Sequence, residues 1–558
     1  MSHPARWHRL IPLAIAAVLA VGAASGAGSQ VQAAAPPDHK AQAYANAELI
    51  QLLRVSTPTA ADKKRLNTLD LDLAESAGKN FVDLVAYGNH DRQLLQLAGF
   101  RWTVIEDDLV GADKAREAAD AAYAKAVKNK AIKATLPSGR TAYRQLADYN
   151  NELAALATQY PTKVKQFTLK NTSLEGRTIR GIEVSHDVNT SNGKPVFLMV
   201  GLHHAREWPS GELTMEFAYD LLKNDGVDAR ITNILEKSRV IFVPVVNPDG
   251  FNLSRTLGYE MKRKNCRVTD GQIPTSGQCA QSANQSKGTD LNRNYSGFWG
   301  GPGASSSLTS ETYRGASAFS EPESRNIQAL VSANQVTTLI TNHTYSNLVL
   351  REPGYAGAGN TPDEAIYKSL GDQMAAQNGY TSQFSYELYD TTGTTEDWSY
   401  YATGGLGFTF EHGANSFHPA FSNVVNYYYG SGSTAGKGNR AAFLLAAESA
   451  INPARHSIIT GTGPAGAVLR LKKSFSTKTW NGTSLPDVLD TTMVVPAGGT
   501  YTWHTNPSTR PSVVQQGGTE AWTLTCERPT GQVLETRQVT VARGASVTAN
   551  LATCAAVF

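Results

Sequence analysis

Two histidines and two glutamates placed at the ends of apolar segments carry the first chemical signal in this sequence. His204 and Glu207 stand three residues apart, directly after a short apolar run. His343 follows a second apolar run, and Glu411 closes a third. Imidazole nitrogens and carboxylate oxygens are good zinc ligands, and a catalytic zinc takes three protein ligands with one position open. The pattern therefore predicts a zinc site of His204, Glu207 and His343, with Glu411 as a general base.

The elements that must position these residues are strands of one sheet. Apolar runs alternate with helical stretches over residues 141–452, which predicts a single large α/β domain with a central mixed β-sheet flanked by helices. Open sheets of this kind place their sites at the carboxyl ends of the strands. A lone buried His or Glu is most often structural, but four of them at three separate strand ends favour a site. The HExxH and GxSxG motifs of other hydrolases are absent from the sequence.

The segments on either side of this domain differ from it in composition. Residues 47–110 predict a small α+β unit, and residues 112–133, rich in Ala, Lys and Glu, predict a helix. That helix ends in a basic stretch that continues to Arg140, which predicts an exposed and protease-sensitive connector. Residues 457–558 hold short Val- and Thr-rich runs between Gly, Pro and Asn turns, which predicts an all-β sandwich.

The first 33 residues are typical of a secretory signal peptide. Arg6 and Arg9 precede the apolar run Leu10–Val21, and small residues follow it. Because that run is shorter than the roughly 18 to 20 residues that span a bilayer, we expect a cleaved leader rather than an anchor. No later segment is apolar enough to span. The sequence thus predicts a secreted protein, extracellular or periplasmic.

Export makes disulfides possible, because oxidising compartments preserve them. Four cysteines allow three connectivities. Proximity in the chain favours two local bridges, Cys266–Cys279 and Cys526–Cys554.

Composition narrows the choice of partner. Hydrophobic residues make up 41% of the chain and charged residues 18%, which excludes disorder throughout. The formal net charge is only +3, so electrostatics give no case for nucleic acid or an anionic membrane as partner.

Seven motifs, in linear order across 141–452, resemble the zinc metallocarboxypeptidases of the pancreatic A/B type, the M14 family. They are Leu174–Arg177, Gly201–Trp208, Asn247–Phe251, Met261–Asn265, Asp290–Asn294, His343–Ser346 and the set of Tyr389, Asp397–Tyr400 and Glu411. One departs from the family pattern, since Met261 and Lys262 stand where a Trp usually precedes the Arg. The resemblance implies one zinc ion and cleavage of the C-terminal residue from peptides or proteins with a free terminal carboxylate.

The resemblance also assigns roles to further residues. Arg263 would stabilise the oxyanion, and Asp290 would hold the second nitrogen of His204. The substrate's terminal carboxylate would be bound by Asn292, Arg293 and Tyr389. Arg206 and Tyr345 would line the neighbouring subsite.

The position that faces the C-terminal side chain in this family is occupied here by Glu396. An acid pairs well with a cation, so basic or mixed specificity is expected. Two other possibilities are that Glu396 turns toward solvent or pairs with Arg351.

By resemblance, residues 34–140 are an activation prosegment with its connector. It would cap the cleft until an activating protease cuts between about Lys125 and Arg140. The mature protein is expected to be a monomer. Two alternatives remain open: a related zinc hydrolase, either a deacylase or a peptidase of peptidoglycan stem peptides, and a non-catalytic, surface-binding role for residues 457–558.

Overall fold

The computed structural model describes residues 39–133, 136–256, 258–414, 416–513 and 516–558. The predicted signal peptide at 1–33 lies outside these residues. Among the helices in the described ranges, none is long and apolar enough to cross a membrane.

The N-terminal unit is a four-stranded antiparallel sheet with helices, in strand order β2-β3-β1-β4. Its elements are α1 (His39–Ala45), β1 (Ile50–Ser56), α2 (Ala60–Asn67), β2 (Asp72–Gly78), β3 (Phe81–Tyr87), α3 (Gly88–Leu97), β4 (Trp102–Glu106) and α4 (Leu109–Lys128). The sequence pattern predicts β1, β3, α3, β4 and α4. It does not predict β2, because Asp, Glu, Ser and Gly interrupt any alternation of apolar residues there.

The large α/β region contains a mixed sheet of eight strands, in the order β11-β10-β12-β9-β7-β8-β6-β5. Its strands are β5 (Val164–Thr168), β6 (Arg180–Val184), β7 (Val196–Val200), β8 (Arg239–Val243), β9 (Val336–His343), β10 (Leu348–Arg351), β11 (Thr381–Phe384) and β12 (Leu406–Glu411). Its helices are α5 (Leu146–Gln159), α6 (Trp208–Asn224), α7 (Ala229–Lys237), α8 (Pro248–Thr256), α9 (Pro322–Ser332), α10 (Glu364–Asn378), α11 (Thr395–Trp398), α12 (Phe421–Tyr429) and α13 (Gly438–Ile451). The expected α/β fold with a central mixed sheet is confirmed.

The four middle strands, β12, β9, β7 and β8, run parallel and are buried on both faces. In β7, Phe197 and Met199 point into one hydrophobic core, while Val196, Leu198 and Val200 point into the other. Because neither face meets water, β7 and β8 are apolar at nearly every position rather than at alternate ones, and the polar residues of β9 and β12 are buried beside their apolar neighbours. The carboxyl ends of parallel strands share one edge of the sheet, so the residues that follow them are brought together there.

The C-terminal part is a two-sheet β-structure. It comprises β13 (Ser457–Thr462), β14 (Val468–Lys478), β15 (Ser484–Val494), β16 (Thr500–Thr505), β17 (Thr509–Val513), β18 (Gln516–Thr519), β19 (Trp522–Glu527), β20 (Val533–Val539), β21 (Ser546–Thr548) and a short helix α14 (Ala552–Val557). Strands β16-β13-β21 and β15-β14-β19-β20 form the two sheets, and β17 pairs with β18. One core fills the space between the sheets, with Trp503 from the first and Leu471 and Trp522 from the second.

Both expected disulfides are present. Cys266 pairs with Cys279, and Cys526 in β19 pairs with Cys554 in α14. The second bridge fixes the one helix that the all-β prediction did not include.

Candidate metal centre and substrate cleft

The metal-ligand candidates lie at the shared carboxyl edge of the parallel strands. His204 and Glu207 occupy the turn between β7 and α6, where Leu202 adopts a φ of 53° and donates its backbone N–H to Ser210 Oγ at 3.0 Å. His343 ends β9, the neighbour of β7. Glu411 ends β12 and stands in register beside His343. The order of the strands therefore brings together residues from three segments that are far apart in the chain.

Three of these side chains converge on one point. His204 Nδ1 lies 2.6 Å from Glu207 Oε1, and His343 Nδ1 lies 3.0 Å from Glu207 Oε2. The two Nδ1 atoms are 3.1 Å apart. All three residues are buried, and they form a group able to hold one metal ion. Two imidazoles and a carboxylate are the donor set that zinc prefers, so the residues present fit that ion.

The outer nitrogen of each imidazole is also held. His204 Nε2 lies 3.0 Å from Asp290 Oδ1, and His343 Nε2 lies 3.0 Å from Thr341 Oγ1. Such contacts orient the ring so that the other nitrogen faces the metal. Asp290 also accepts hydrogen bonds from Arg263 Nε and Nη2, at 3.2 and 2.9 Å. Burial alone would raise the pKa of Asp290, but Arg263 and His204 outweigh it and hold that pKa well below its usual range.

Glu411 is 3% exposed, and its Oε2 has no hydrogen-bond partner in the described part of the chain. Burial, together with the nearby Glu207 carboxylate, raises the pKa of Glu411 well above its ordinary value. A raised pKa makes the carboxylate form of Glu411 a stronger base, which suits it to take a proton and pass it on.

A second set of residues suits a carboxylate ligand. Arg293 is fixed by hydrogen bonds from Nε to Gly303 O and from Nη1 to Asn292 O, both at 2.8 Å. Asn292 Oδ1 accepts from the backbone N–H and the hydroxyl of Thr395, each at 2.9 Å, which leaves its amide N–H groups as donors. Tyr389 lines a cleft with a volume of about 1350 Å³, whose lining includes Gly303 but neither Arg293 nor Asn292. Guanidinium, amide and phenol groups are each able to bind a terminal carboxylate.

Glu396 lies in α11 and is buried, with only 2% exposure, so it does not turn toward solvent. Arg351 is not its partner, because Arg351 binds Glu364 at 2.9 to 3.2 Å. Burial and the adjacent Asp397 raise the pKa of Glu396 to about 7. A further buried acid, Glu352, has its pKa raised well above the ordinary value by burial and by Asp397. Sequence reasoning missed Glu352, although its place directly after β10 is another strand-end position.

Two acids of β2 in the N-terminal unit contact cations that were predicted to serve the substrate or the oxyanion. Asp72 accepts hydrogen bonds from both terminal nitrogens of Arg206, at 2.6 and 2.9 Å, and neither side chain is exposed. Glu75 binds Arg263. Both contacts occupy cations that were predicted to serve substrate or oxyanion. Sequence reasoning missed the two acids, because it did not predict β2.

Tyr345 is fully buried in a cluster that also includes Ala43 of α1 and Phe417. Its ring meets that of Phe417 edge-on at 5.0 Å. The N-terminal unit therefore covers the position predicted for the neighbouring subsite.

The mixed eight-stranded sheet brings His, Glu and His together at one edge, beside a buried Glu and an Arg that is held by hydrogen bonds. This combination is typical of α/β hydrolases that bind one metal ion. The zinc carboxypeptidase family, peptidase M14, matches residues 149–431. The chain belongs to this family, and the resemblance seen in the sequence is confirmed.

Curated relatives and solved structures agree with this placement. Carboxypeptidase A1 of Mus musculus is 31% identical over 281 residues, which cover 48% of this chain and 62% of the relative. Metallocarboxypeptidase A of Trichophyton tonsurans is 31% identical over 232 residues, covering 41% of this chain and 51% of the relative. The matched segment thus spans between half and two thirds of these relatives.

Two crystal structures share the fold at low sequence identity. Carboxypeptidase A from Helicoverpa armigera has a TM-score of 0.60 at 22% identity and covers 72% of this chain and 98% of its own. Thrombin activatable fibrinolysis inhibitor has a TM-score of 0.57 at 20% identity with the same two coverages.

Proposed function

We propose that the protein is a secreted zinc metallocarboxypeptidase that removes the C-terminal residue of peptides and proteins. The observation that carries the proposal is the convergence of His204, Glu207 and His343 in one buried site, together with an unpartnered Glu411 among the described residues. Zinc bound there would supply a Lewis acid that polarises the scissile carbonyl and acidifies a water molecule.

The chain's own residues would perform the remaining steps. Glu411 takes the proton of the attacking water on a carboxylate oxygen and delivers it to the leaving amine. Arg263, held in place by Asp290, donates to the developing oxyanion once Glu75 has left. Arg293, Asn292 and Tyr389 bind the substrate's terminal carboxylate, which an internal peptide bond lacks. The enzyme would therefore be an exopeptidase.

The pocket favours a basic C-terminal side chain. Two further buried carboxyls, Glu352 and Asp397, lie near Glu396 and add to the acidic character of the pocket. Arg351 pairs with Glu364 and therefore does not neutralise Glu396. A lysine or arginine side chain entering the pocket would pair with Glu396 and offset the cost of burying that acid. We propose preference for Lys and Arg over Phe and Leu.

We also propose that residues 34–140 keep the enzyme latent. Asp72 and Glu75 occupy Arg206 and Arg263, and α1 packs near Tyr345. Activation would require a cut in the connector. Every residue from the last position of α4, Lys128, to Lys133 is exposed, whereas Arg140 is tied to Asp148 and Glu152 at 2.8 and 3.1 Å. We therefore place the cut between Lys128 and Lys133, by a protease specific for basic residues. The exported enzyme would act as a monomer.

The test is a panel of short peptides ending in Lys, Phe and Leu, each also prepared with an amidated C-terminus. Activity is measured before and after limited trypsin treatment, with and without a chelator. We expect chelator-sensitive release of Lys after trypsin, and no cleavage of amidated peptides. Release of diaminopimelate from peptidoglycan stem peptides without action on simple peptides would favour the alternative zinc hydrolase instead.

A variant of the proposed general base distinguishes the activity of this protein from that of a contaminating peptidase. Glu411→Gln removes the proton acceptor but keeps the side-chain shape, so kcat should fall by about 10²- to 10⁴-fold. Glu448→Gln, which alters an exposed pair with Arg230, is the matched control and should retain full activity. Equal activity of the two variants would remove Glu411 from its role.

A further inference from the structure

The turn between β14 and β15 brings the C-terminal β-structure to the edge of the cleft that Tyr389 lines. Trp480 at this turn is 36% exposed and lines the same cleft as Tyr389. Its backbone N–H donates to Trp299 O at 2.9 Å. Its ring meets the ring of Tyr355 edge-on at 4.8 Å. An aromatic residue from outside the α/β region thus contacts the cleft wall from two sides.

The wall that Trp480 contacts is the segment 299–303. A Cβ placed on Gly301 would lie 2.8 Å from the indole of Trp480 and 2.9 Å from Thr392, so both side chains pack against the same face of this glycine. Thr392 Oγ1 donates to Pro302 O at 2.9 Å. Segment 299–303 therefore contacts both the C-terminal turn and the loop that carries Thr392.

The same segment orients the predicted carboxylate clamp. Gly303 offers its carbonyl oxygen to Arg293 Nε at 2.8 Å. Gly303 has a φ of +74° and so close an approach to Asp390 O that a Cβ would not fit. Displacing segment 299–303 would move this carbonyl, and the contacts of Trp480 with Trp299 and Gly301 oppose that displacement.

The β-structure itself is fixed to the back of the sheet, so the turn has a firm base. Gln328 of α9 donates to Asp487 at 3.0 Å, and Asn506 donates to Val336 O at 3.0 Å. Arg543 binds Asp363 at 2.9 Å. These contacts are spread along α9, the start of β9 and the beginning of α10, so they fix the position of the β-structure against the α/β region.

We infer that Trp480 is a positioning residue for substrate binding: through segment 299–303 it holds Arg293 in the geometry that grips a terminal carboxylate. The C-terminal β-structure then contributes to substrate binding by the peptidase and is not a separate surface-binding module. This inference rests on the proposed function for the identity of the carboxylate ligand. It assigns Trp480 no contact with the scissile bond.

The test compares Trp480→Ala and Trp480→Phe with Val533→Ala, an exposed apolar residue of β20 that serves as the control. In the trypsin-activated full chain, Trp480→Ala should raise the KM for a Lys-ending peptide by about tenfold, because small misplacements of binding groups are costly. The kcat should change less than about threefold, since a carboxylate contact is made equally before and in the transition state. Trp480→Phe should restore most of the loss.

Two ligands distinguish positioning of Arg293 from general damage. The Ki of free L-arginine, whose carboxylate needs Arg293, should rise about tenfold in Trp480→Ala, while that of acetohydroxamate, which needs only the metal, should stay within about twofold. Equal weakening of both ligands, or of neither, would overturn the inference. Gly301→Ala, whose methyl group would push the segment away from Trp480 and Thr392, should reproduce the arginine effect.

Hydrogen exchange provides a readout that does not depend on peptidase activity. In the intact chain, Trp480→Ala should raise amide exchange in residues 299–303 at least about fivefold, and Val533→Ala should not, because local opening follows lost contacts. If the wild type cleaves no peptide, the proposed function fails, while exchange and calorimetric binding of L-arginine still decide the inference. Unchanged exchange with unchanged arginine binding would refute it.

Discussion

The contact between Asp72 and Arg206 provides the sharpest test of latency. Asp72→Asn keeps one acceptor oxygen for Tyr87, which donates its hydroxyl to Asp72 at 2.9 Å, but removes the charge that pairs with Arg206. The substitution therefore spares most of the N-terminal unit's own structure and weakens its grip on the cleft.

The magnitude follows from burial. Both side chains of the pair are 0% exposed, and two hydrogen bonds of 2.6 and 2.9 Å join them. Breaking a buried pair by removing one partner costs about 3 to 5 kcal/mol, because the other charge is left uncompensated. At about 1.4 kcal/mol per tenfold, the open state should become about 10² to 4 × 10³ times more populated.

The assay is hydrolysis of a short Lys-ending peptide by the uncleaved chain, with and without later trypsin treatment. Asp72→Asn should show basal activity far above that of the wild type, and trypsin should bring both to the same final rate. Asp62→Asn is the control, since Asp62 caps α2 at the surface and does not touch Arg206. If uncleaved Asp72→Asn is as silent as the wild type, the pair does not maintain latency.

Three further outcomes are expected. Glu396→Gln should lower the ratio of kcat/KM for Lys-ending over Phe-ending peptides by about 10- to 100-fold, because the cation loses a charged partner; an unchanged ratio would exclude Glu396 from the pocket. Since burial and Asp397 raise the pKa of Glu396 to about 7, the ionised form that pairs with a cation grows as pH rises, so KM for Lys-ending peptides should fall between pH 6 and 8. Phe-ending peptides and the Gln variant should lack this trend, and its persistence in the variant would contradict the assignment. Replacing Cys526 and Cys554 by Ala should lower the free energy of unfolding in urea by about 2 to 4 kcal/mol, and no change would mean that this bridge contributes nothing.

The four strands predicted from apolar runs are the four parallel ones, β7, β8, β9 and β12. They are buried on both faces, and each contains buried apolar residues that can be recognised as a strand without a structure. The outer strands β5, β6, β10 and β11 were not predicted. The sequences of β5 and β6 are more polar, and β10 and β11 have only four residues each.

The sequence by itself predicted the candidate metal ligands and the candidate base, because each of these residues follows or ends a strand of the parallel set and parallel strands share one edge. It could not determine which acids the cations meet. Asp72 and Arg206 are separated by 134 residues, and nothing in the local pattern of either predicts the other. The proximity of Glu352 to Glu396 and the contact of Trp480 with segment 299–303 are likewise products of packing between distant segments. Local sequence carries periodicity and strand ends, whereas contacts between remote loops exist only once the tertiary structure has brought them together.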